Sequence, residues 1–337
     1  MSNPAPKLAT LDVIGVGNAI VDVLAKADDE FLKTHEIPKG GMILIDDRQA
    51  TSIYSAMAAG VEISGGSAAN SIACVASLGG NGGFVGKVAD DPLGEIFRHD
   101  LRAMGVEFDT TPLKDGPETG RCLVNVTPDA QRSMATFLGA AALVSPDDID
   151  ADQVKRAAIT FFEGYLFEQP VAREAFITAC NIANAAGKKS ALTISDAGVV
   201  DRQGNILYSF IGDHVDIVLA NEDEAKALFK EQTIEEIIPK AREMCALTAV
   251  TLSEKGSVLI PRDGDPVKIE AISPTTLEDT TGAGDAYAAG LLFGLARGFD
   301  LAKSGALGAL AASEVISHFG ARPAQSLKGL AQQSSLL

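Results

Sequence analysis

Short apolar runs bounded by Gly, Asp or Pro alternate along the chain with longer stretches in which apolar positions recur every three or four residues. A buried-strand pattern alternating with a helical period is what βα repeats produce when they build a mostly parallel sheet. The runs at 11–16, 84–88, 159–162, 191–194, 215–219 and 247–252 read as buried strands. Helices are expected at 67–78, 92–104 and 171–186, because each runs into Gly79, Gly105 or Gly187, where a left-handed cap residue belongs. Two regions break the rhythm. At 41–63 and 106–139, short strand-like runs (42–45, 121–126 and 134–138) alternate with polar or Gly/Pro turns and show little helical period. They read as a small, mostly antiparallel sheet inserted into the α/β core. A small sheet beside a layered domain suggests a lid that keeps water from a reactive group.

Composition narrows the class. The chain has 337 residues, 46% of them hydrophobic, which suffices for a packed core and allows one large or two ordinary domains. A single unit spanning 1–337 is expected, with the core at about 11–20, 64–105 and 140–330 and the lid at about 21–63 and 106–139. Against 45 Asp and Glu stand 28 Lys and Arg, a net charge of −17. Such a chain repels polyanions unless its basic residues cluster, and no cluster occurs, so nucleic acid is not an expected partner. Cys74, Cys122, Cys180 and Cys245 are scattered singly without metal-ligand spacing and read as buried thiols in a reducing compartment. The first residues carry no apolar segment behind a basic one, and no run reaches 18 uninterrupted apolar residues. A cytoplasmic protein without a membrane span is expected, with frayed ends at Pro4 and Pro6 and at Ser334-Ser335.

The chemistry concentrates in a few glycine-rich segments. The first is Glu278-Asp279-Thr280-Thr281-Gly282-Ala283-Gly284-Asp285, followed by a run of small residues. Glycines ahead of a helix let the backbone approach a ligand, and the first-turn N–H groups, backed by the dipole, form an anion site. An aspartate in a plain phosphate cradle would repel the anion. Asp285 makes sense if its carboxylate must accept a proton from a hydroxyl attacking phosphorus. The alternative, an acidic first turn favoured by the dipole, suits a lone Asp better than it suits the whole string.

The second segment, Ser64-Gly65-Gly66-Ser67-Ala68-Ala69-Asn70, also opens a helix. Exposed backbone N–H groups and the donor and acceptor of Asn70 suit vicinal hydroxyls. A turn with Ser67 as helix cap is the competing reading. The third, Asn221-Glu222-Asp223-Glu224, follows a strand and puts Asn221 and Glu224 on one helical face, where they could order the water shell of Mg²⁺; an acidic helix start reads equally well. The fourth, 250–257, is a strand leaving into a turn that could wrap a nucleotide or simply form a hairpin. Gly15-Val16-Gly17-Asn18-Ala19-Ile20 fails as a dinucleotide fingerprint because Ile20 stands where Gly or Ala is needed, and Gly86-Lys87-Val88 fails as a Walker A loop.

Taken together these segments resemble the ribokinase-like, or PfkB, family of carbohydrate and nucleoside kinases over almost the whole chain. SGGSAAN at 64–70 is similar to the family's N-terminal signature and DTTGAGD at 279–285 to its C-terminal one. The resemblance implies a ribokinase-like α/β fold, a central mostly parallel sheet flanked by helices with a small β-sheet lid. It implies Asp285 as catalytic base, Gly282, Ala283 and Gly284 as the anion hole, and ATP as co-substrate. Asn221 and Glu224 are implied in organising Mg²⁺, Glu224 through water, and Thr251, Ser253, Gly256 and Thr281 in holding ATP. Ser253 stands where many members have glycine. Asp279 and the neighbourhood of Gly320-Ala321 resemble places where relatives bind a monovalent cation, which adds K⁺ to the expected cofactors.

Within the family the adenosine kinases are the most similar branch. Gly17-Asn18 followed by Asp22 resembles their first strand, whose Asp holds ribose hydroxyls, a task shared here by Gly65, Gly66 and Asn70. Arg132, in a segment ending Leu138-Gly139-Ala140-Ala141, resembles a lid arginine facing phosphate. Tyr165 is a candidate for stacking on the base, with Leu166 where the first base-side aromatic is expected. The segment 192–196 lacks the DxNxR string of the sugar branch. The expected partners are therefore ATP and a nucleoside, with phosphorylation of adenosine to AMP; the alternatives are a free sugar such as ribose or fructose, or a non-catalytic nucleoside- or sugar-binding protein. Sequence leaves monomer or homodimer open.

Overall fold

The computed structural model describes residues 10–129 and 131–337. Its main sheet holds β1 (Leu11–Val16), β5 (Gly82–Val85), β8 (Ala157–Glu163), β9 (Lys189–Thr193), β10 (Ile217–Asn221), β11 (Leu247–Thr251), β12 (Ser257–Pro261) and β13 (Val267–Ile269). The order is β13-β12-β11-β10-β9-β8-β1-β5, parallel from β5 through β11 and antiparallel at the β12 and β13 edge. Both faces are buried. On one lie α3 (Ser67–Ser77), α4 (Pro92–Ala103), α11 (Ala283–Ala296), α12 (Leu301–Val315) and α13 (Leu327–Gln333). On the other lie α5 (Ala151–Arg156), α6 (Gly164–Phe167), α7 (Pro170–Ala185), α8 (Ala197–His214), α9 (Glu222–Phe229) and α10 (Ile234–Met244). Near-continuous apolar strands are what a sheet covered on both sides requires. The glycines after α3, α4 and α7 are left-handed, as their positions predict.

The second sheet contains β2 (Ile20–Lys26), β3 (Met42–Leu44), β4 (Val61–Gly65), β6 (Gly120–Val126) and β7 (Arg132–Phe137), in the order β3-β7-β6-β2-β4. Its pairing corrects the sequence reading: β2/β4 and β6/β7 are antiparallel, but β2/β6 and β3/β7 are parallel, so the sheet is mixed. It also carries α1 (Asp29–Thr34) and α2 (Asp47–Ala56), the second in a region expected to show little helical period. In α2 only Ala50 and Ile53 are buried, too few to show a period, and the helix is set instead by reciprocal capping between Asp46 and Gln49. Residues 106–113, assigned to the lid from sequence, run along the main sheet through bridges of Glu107 to Gly83 and Leu113 to Ala89.

Side chains alternate across the small sheet. Val23, Leu123, Ala135 and Phe137 turn outward onto Leu32, Ile37, Ala50 and Ile53, giving this part a core of its own. Their neighbours turn the other way, over the main sheet. All four cysteines are free and buried. No helix among the described residues is long and apolar enough to cross a membrane. The frayed start expected at Pro4 and Pro6 lies outside the described residues.

Candidate active site

Strands that read as apolar runs end on polar residues, and those residues meet. Glu163 closes β8, Thr193 closes β9, Asn221 closes β10 and Thr251 closes β11, and all four line one cavity of about 770 Å³. The carboxyl ends of parallel strands are where open α/β sheets take ligands. β1 leads into the same space through Asn18. The roof is the inner face of the small sheet, with Ile20, Asp22, Met42, Leu44, Cys122, Met134 and Thr136, continued by Leu138. The chain reaches this roof through 17–19 and returns through Gly66, whose φ of +95° and approach to the Asn18 carbonyl leave no room for a Cβ.

Thr281, Gly282, Ala283, Gly284 and Asp285 complete the cavity at the start of α11. Gly282 caps the helix in the left-handed region, with φ of +79°, and lies so close to Ala321 that a side chain would collide. The first turn of α11 thereby opens into the cavity. The Ala283 N–H is bonded to the Thr280 carbonyl at 3.2 Å, so the neighbouring amides are better placed to meet an anion. Asp285 accepts from the Ser67 hydroxyl at 2.6 Å and from the Asn70 amide at 3.3 Å. Ser67 is thus a partner of Asp285 and not the cap of α3, a place taken by Gly66. Burial pushes the Asp285 carboxyl up to about 6, opposed by these two hydrogen bonds.

Asp22 lies against Gly65, where a Cβ would collide with its carboxylate. Burial pushes it to about 6 as well, with Arg322 and Arg132 pulling it down and Asp285 pushing it up. Asn221 and Glu224 form a complete capping box: Glu224 accepts from the Asn221 backbone N–H at 2.9 Å and its amide at 2.8 Å. The helix-start reading is therefore realised, and both residues also line the cavity. Burial raises Glu224 to about 7, with Asp196, Asp223 and Asp285 adding negative charge. No group of three or more His, Cys, Asp or Glu able to hold a metal exists among the described residues. Glu224, Asn221 and Asp196 on one wall fit a cation held through its water shell and the phosphates it accompanies, as Mg²⁺ is, better than one caged by protein.

Arg132 starts β7 and donates to the Asp279 carboxylate and, at 3.4 Å, to the Thr281 hydroxyl. Asp279 also accepts from the backbone N–H groups of Thr281 and Gly320 at 3.0 and 3.1 Å. Burial opposes its ionisation, but these bonds and the Arg132 charge hold it below the ordinary value. Tyr165 lines the cavity, and burial raises its hydroxyl. Leu166 does not line it and is fully buried in the core. Thr251 faces the cavity, whereas Ser253 and Gly256 lie in the turn beyond it. Ser253 takes a φ of +54°, the conformation that favours glycine there.

Two residues escaped the sequence reading. Glu163 accepts from the Asn18 N–H and amide and from the Ala68 N–H at 2.6–2.8 Å, tying the β1–β2 connection to α3. Its signal was available: a carboxylate ending the apolar run 159–162. Arg322 donates to Asn70 and Ser64 from a loop with no periodic pattern, and only the fold brings it there.

With this geometry in place, comparison with known proteins gives consistent answers. The pfkB family carbohydrate kinase profile matches residues 42–327. The adenosine kinase of Sinorhizobium meliloti superposes with a TM-score of 0.89 at 46% identity, over 97% of this chain and 100% of that one. A probable sugar kinase from Rhizobium etli CFN 42 gives 0.91 at 42% identity, over 98% and 100%. The 5-dehydro-2-deoxygluconokinase of Shouchella clausii is 30% identical over 75% of this chain and 80% of its own length. Fold and relatives define a phosphotransferase that acts on a hydroxyl group, with a ribokinase-like α/β fold. The chain belongs to the pfkB family of carbohydrate kinases, which use ATP to phosphorylate a sugar or a nucleoside.

Proposed function

We propose that this kinase phosphorylates the 5′-hydroxyl of a nucleoside, above all adenosine, making AMP in purine salvage in the cytoplasm. The observation that carries the reading is the contrast across the cavity. Ile20, Met42, Leu44, Met134 and Leu138 give the roof an apolar face, which suits a purine ring, while a free sugar presents hydroxyls on every side. The 46% identity to an adenosine kinase supports it.

In this account Asp22 and Gly66 hold the ribose hydroxyls, Asn70, which does not line the cavity, acts through Asp285, and Tyr165 borders the base. Asp285, ionised and aimed by Ser67 and Asn70, takes the proton as the 5′-oxygen attacks the γ-phosphorus. The amides at the start of α11 meet the developing negative charge. Mg²⁺, bound with ATP, offsets charge on the phosphates. Asn221 and Glu224, on the cavity wall, would meet its water shell, and Thr251 and Thr281 would border the nucleotide. Arg132 brings positive charge from the roof to the phosphate end, where Asp279 holds it. With its carboxylate given to Arg132 and two backbone amides, Asp279 acts as a latch between roof and floor.

The relative named as a 5-dehydro-2-deoxygluconokinase favours a second reading, a kinase of a free sugar or sugar acid. ADP release measured over a panel of nucleosides and sugars, with and without K⁺, separates the two. Saturation by adenosine at micromolar concentration, with ribose and fructose far weaker, is expected; turnover of sugars alone overturns the proposal.

A further inference from the structure

The loop between α12 and α13 is fixed at both ends. Gly320 donates to Asp279 at 3.1 Å, while Ala324 and Gln325 donate to Glu314 at 3.0 and 2.8 Å. Between these anchors Arg322 points its guanidinium into the space behind the cavity. Nε donates to Asn70 Oδ1 at 3.2 Å and Nη1 to the Ser64 hydroxyl, which itself donates to Asp100 at 3.0 Å. Nη2 is buried without a hydrogen-bond partner among the described residues. Burial weakens the hold of the guanidinium on its proton, and Asp22 and Asp100 oppose that. An arginine this enclosed and this well anchored is held for a purpose other than solubility.

The consequence lies in the Asn70 amide. A carboxamide can rotate by half a turn and exchange its donor and acceptor ends at little cost unless its neighbours choose. A guanidinium only donates, so it must face Oδ1. Nδ2 is then turned to Asp285 Oδ2, where it stands at 3.3 Å. The reverse orientation would set Oδ1 against a carboxylate and Nδ2 against a cation. Ser67 reaches only the other oxygen of Asp285, so it cannot replace this contact.

We propose that Arg322 is a positioning residue for phosphoryl transfer: it fixes the Asn70 carboxamide so that its N–H₂ aims at Asp285, and it does so without touching either substrate. This rests on Asp285 being the base, and not on whether the acceptor is a nucleoside or a sugar. Loss of Arg322 removes one of the two groups that orient the amide and leaves Asp285 alone to hold it, so the base is aimed less firmly, an effect on the chemical step more than on ATP binding.

The test is a double-mutant cycle on kcat, with Arg322→Gln, Asn70→Ala and the pair, using whichever acceptor the wild-type enzyme turns over. Arg322→Gln should lower kcat by about tenfold to a hundredfold, with KM for ATP within about twofold. The pair should be no slower than Asn70→Ala alone, because both changes remove one device. Arg322→Lys, which keeps the charge and one donor, should recover part of the rate; if the Gln variant does not fold, the cycle is run with Lys. A wild-type kcat in Arg322→Gln, or losses that multiply in the pair, would overturn the proposal. A wild-type enzyme that phosphorylates only sugars would sink the nucleoside reading and leave the cycle readable on the sugar.

Discussion

The floor of the cavity, built from strand ends and the start of α11, gathers Glu163, Asp196, Glu224 and Asp285, whereas the roof offers Ile20, Met42, Leu44 and Met134 around the single carboxylate of Asp22. The supports differ as much as the surfaces. Floor residues hang from a sheet packed on both faces, while the roof has a separate small core and joins the rest only where the chain crosses at 17–19, at Gly66, ahead of β6 and after β7. Proton transfer and charge stabilisation need groups fixed to fractions of an ångström, which a doubly covered parallel sheet provides. Recognition of an apolar base needs area and the ability to close over it. Damage to the floor should therefore fall on turnover, and damage to the roof on acceptor affinity and choice.

The largest break is expected at Asp285. Asp285→Asn keeps the shape and the ability to accept from Ser67, yet should cost about 10²–10⁴ in kcat, the usual share of a general base. Steady-state assay with KM for ATP changed little would uphold the division; an undiminished kcat would end it. On the roof, Asp22→Ala removes a buried acceptor, and a loss of about 1–3 kcal/mol corresponds to a rise of about fivefold to 150-fold in acceptor KM. A change confined to ATP affinity would contradict the role given to it.

Acidity offers a milder probe of the same contrast. Burial pushes the Asp285 carboxyl up to about 6, so kcat/KM should fall by about tenfold per pH unit as the pH drops below that value, and by up to about a hundredfold per unit where Asp22, also pushed to about 6, must be ionised as well. Stability should move oppositely. With folded values raised from 3.8, the native state takes up protons first, so the stabilising contribution is full below 3.8 and lost as pH rises through about 6. Melting temperature and rate measured across the window from pH 7.5 to about 4.5 give both signs; parallel losses would show that these groups are not buried carboxylates of this kind. The smallest effect belongs to the apolar roof. Met42→Ser with Leu44→Ser, at residues 46% and 59% exposed in this state, should raise the adenosine KM severalfold and leave a sugar acceptor untouched. Equal loss for both would remove the argument for a purine.

Much of this division was legible in the chain, and for a physical reason. A strand covered on both faces is apolar throughout, so 11–16 and 247–252 announce themselves to within a residue. Helices ending on left-handed glycines do the same. Boundaries slipped where function intrudes: 215–219 began too early, because Val215 caps α8, and stopped short of Asn221, because a strand end facing a ligand is polar. The roof was harder, since α1 and α2 bury few side chains, and nothing local distinguishes the parallel β2/β6 pair from an antiparallel one. The string at 279–285 exposed the start of α11, whereas Glu163 and Arg322 depend on partners 145 and 252 residues away.

The central claim, that Asp285 removes a proton from a 5′-hydroxyl held under an apolar roof, is met most directly by identifying the product. Adenosine and ATP incubated with the wild-type enzyme and with Asp285→Asn, followed by phosphorus NMR, should show a phosphate monoester coupled to the 5′-methylene with the wild type. The variant, still binding both substrates by calorimetry, should yield little or none in the same time. Phosphate on a ring hydroxyl, no ester on adenosine, or equal product from the variant would contradict the account.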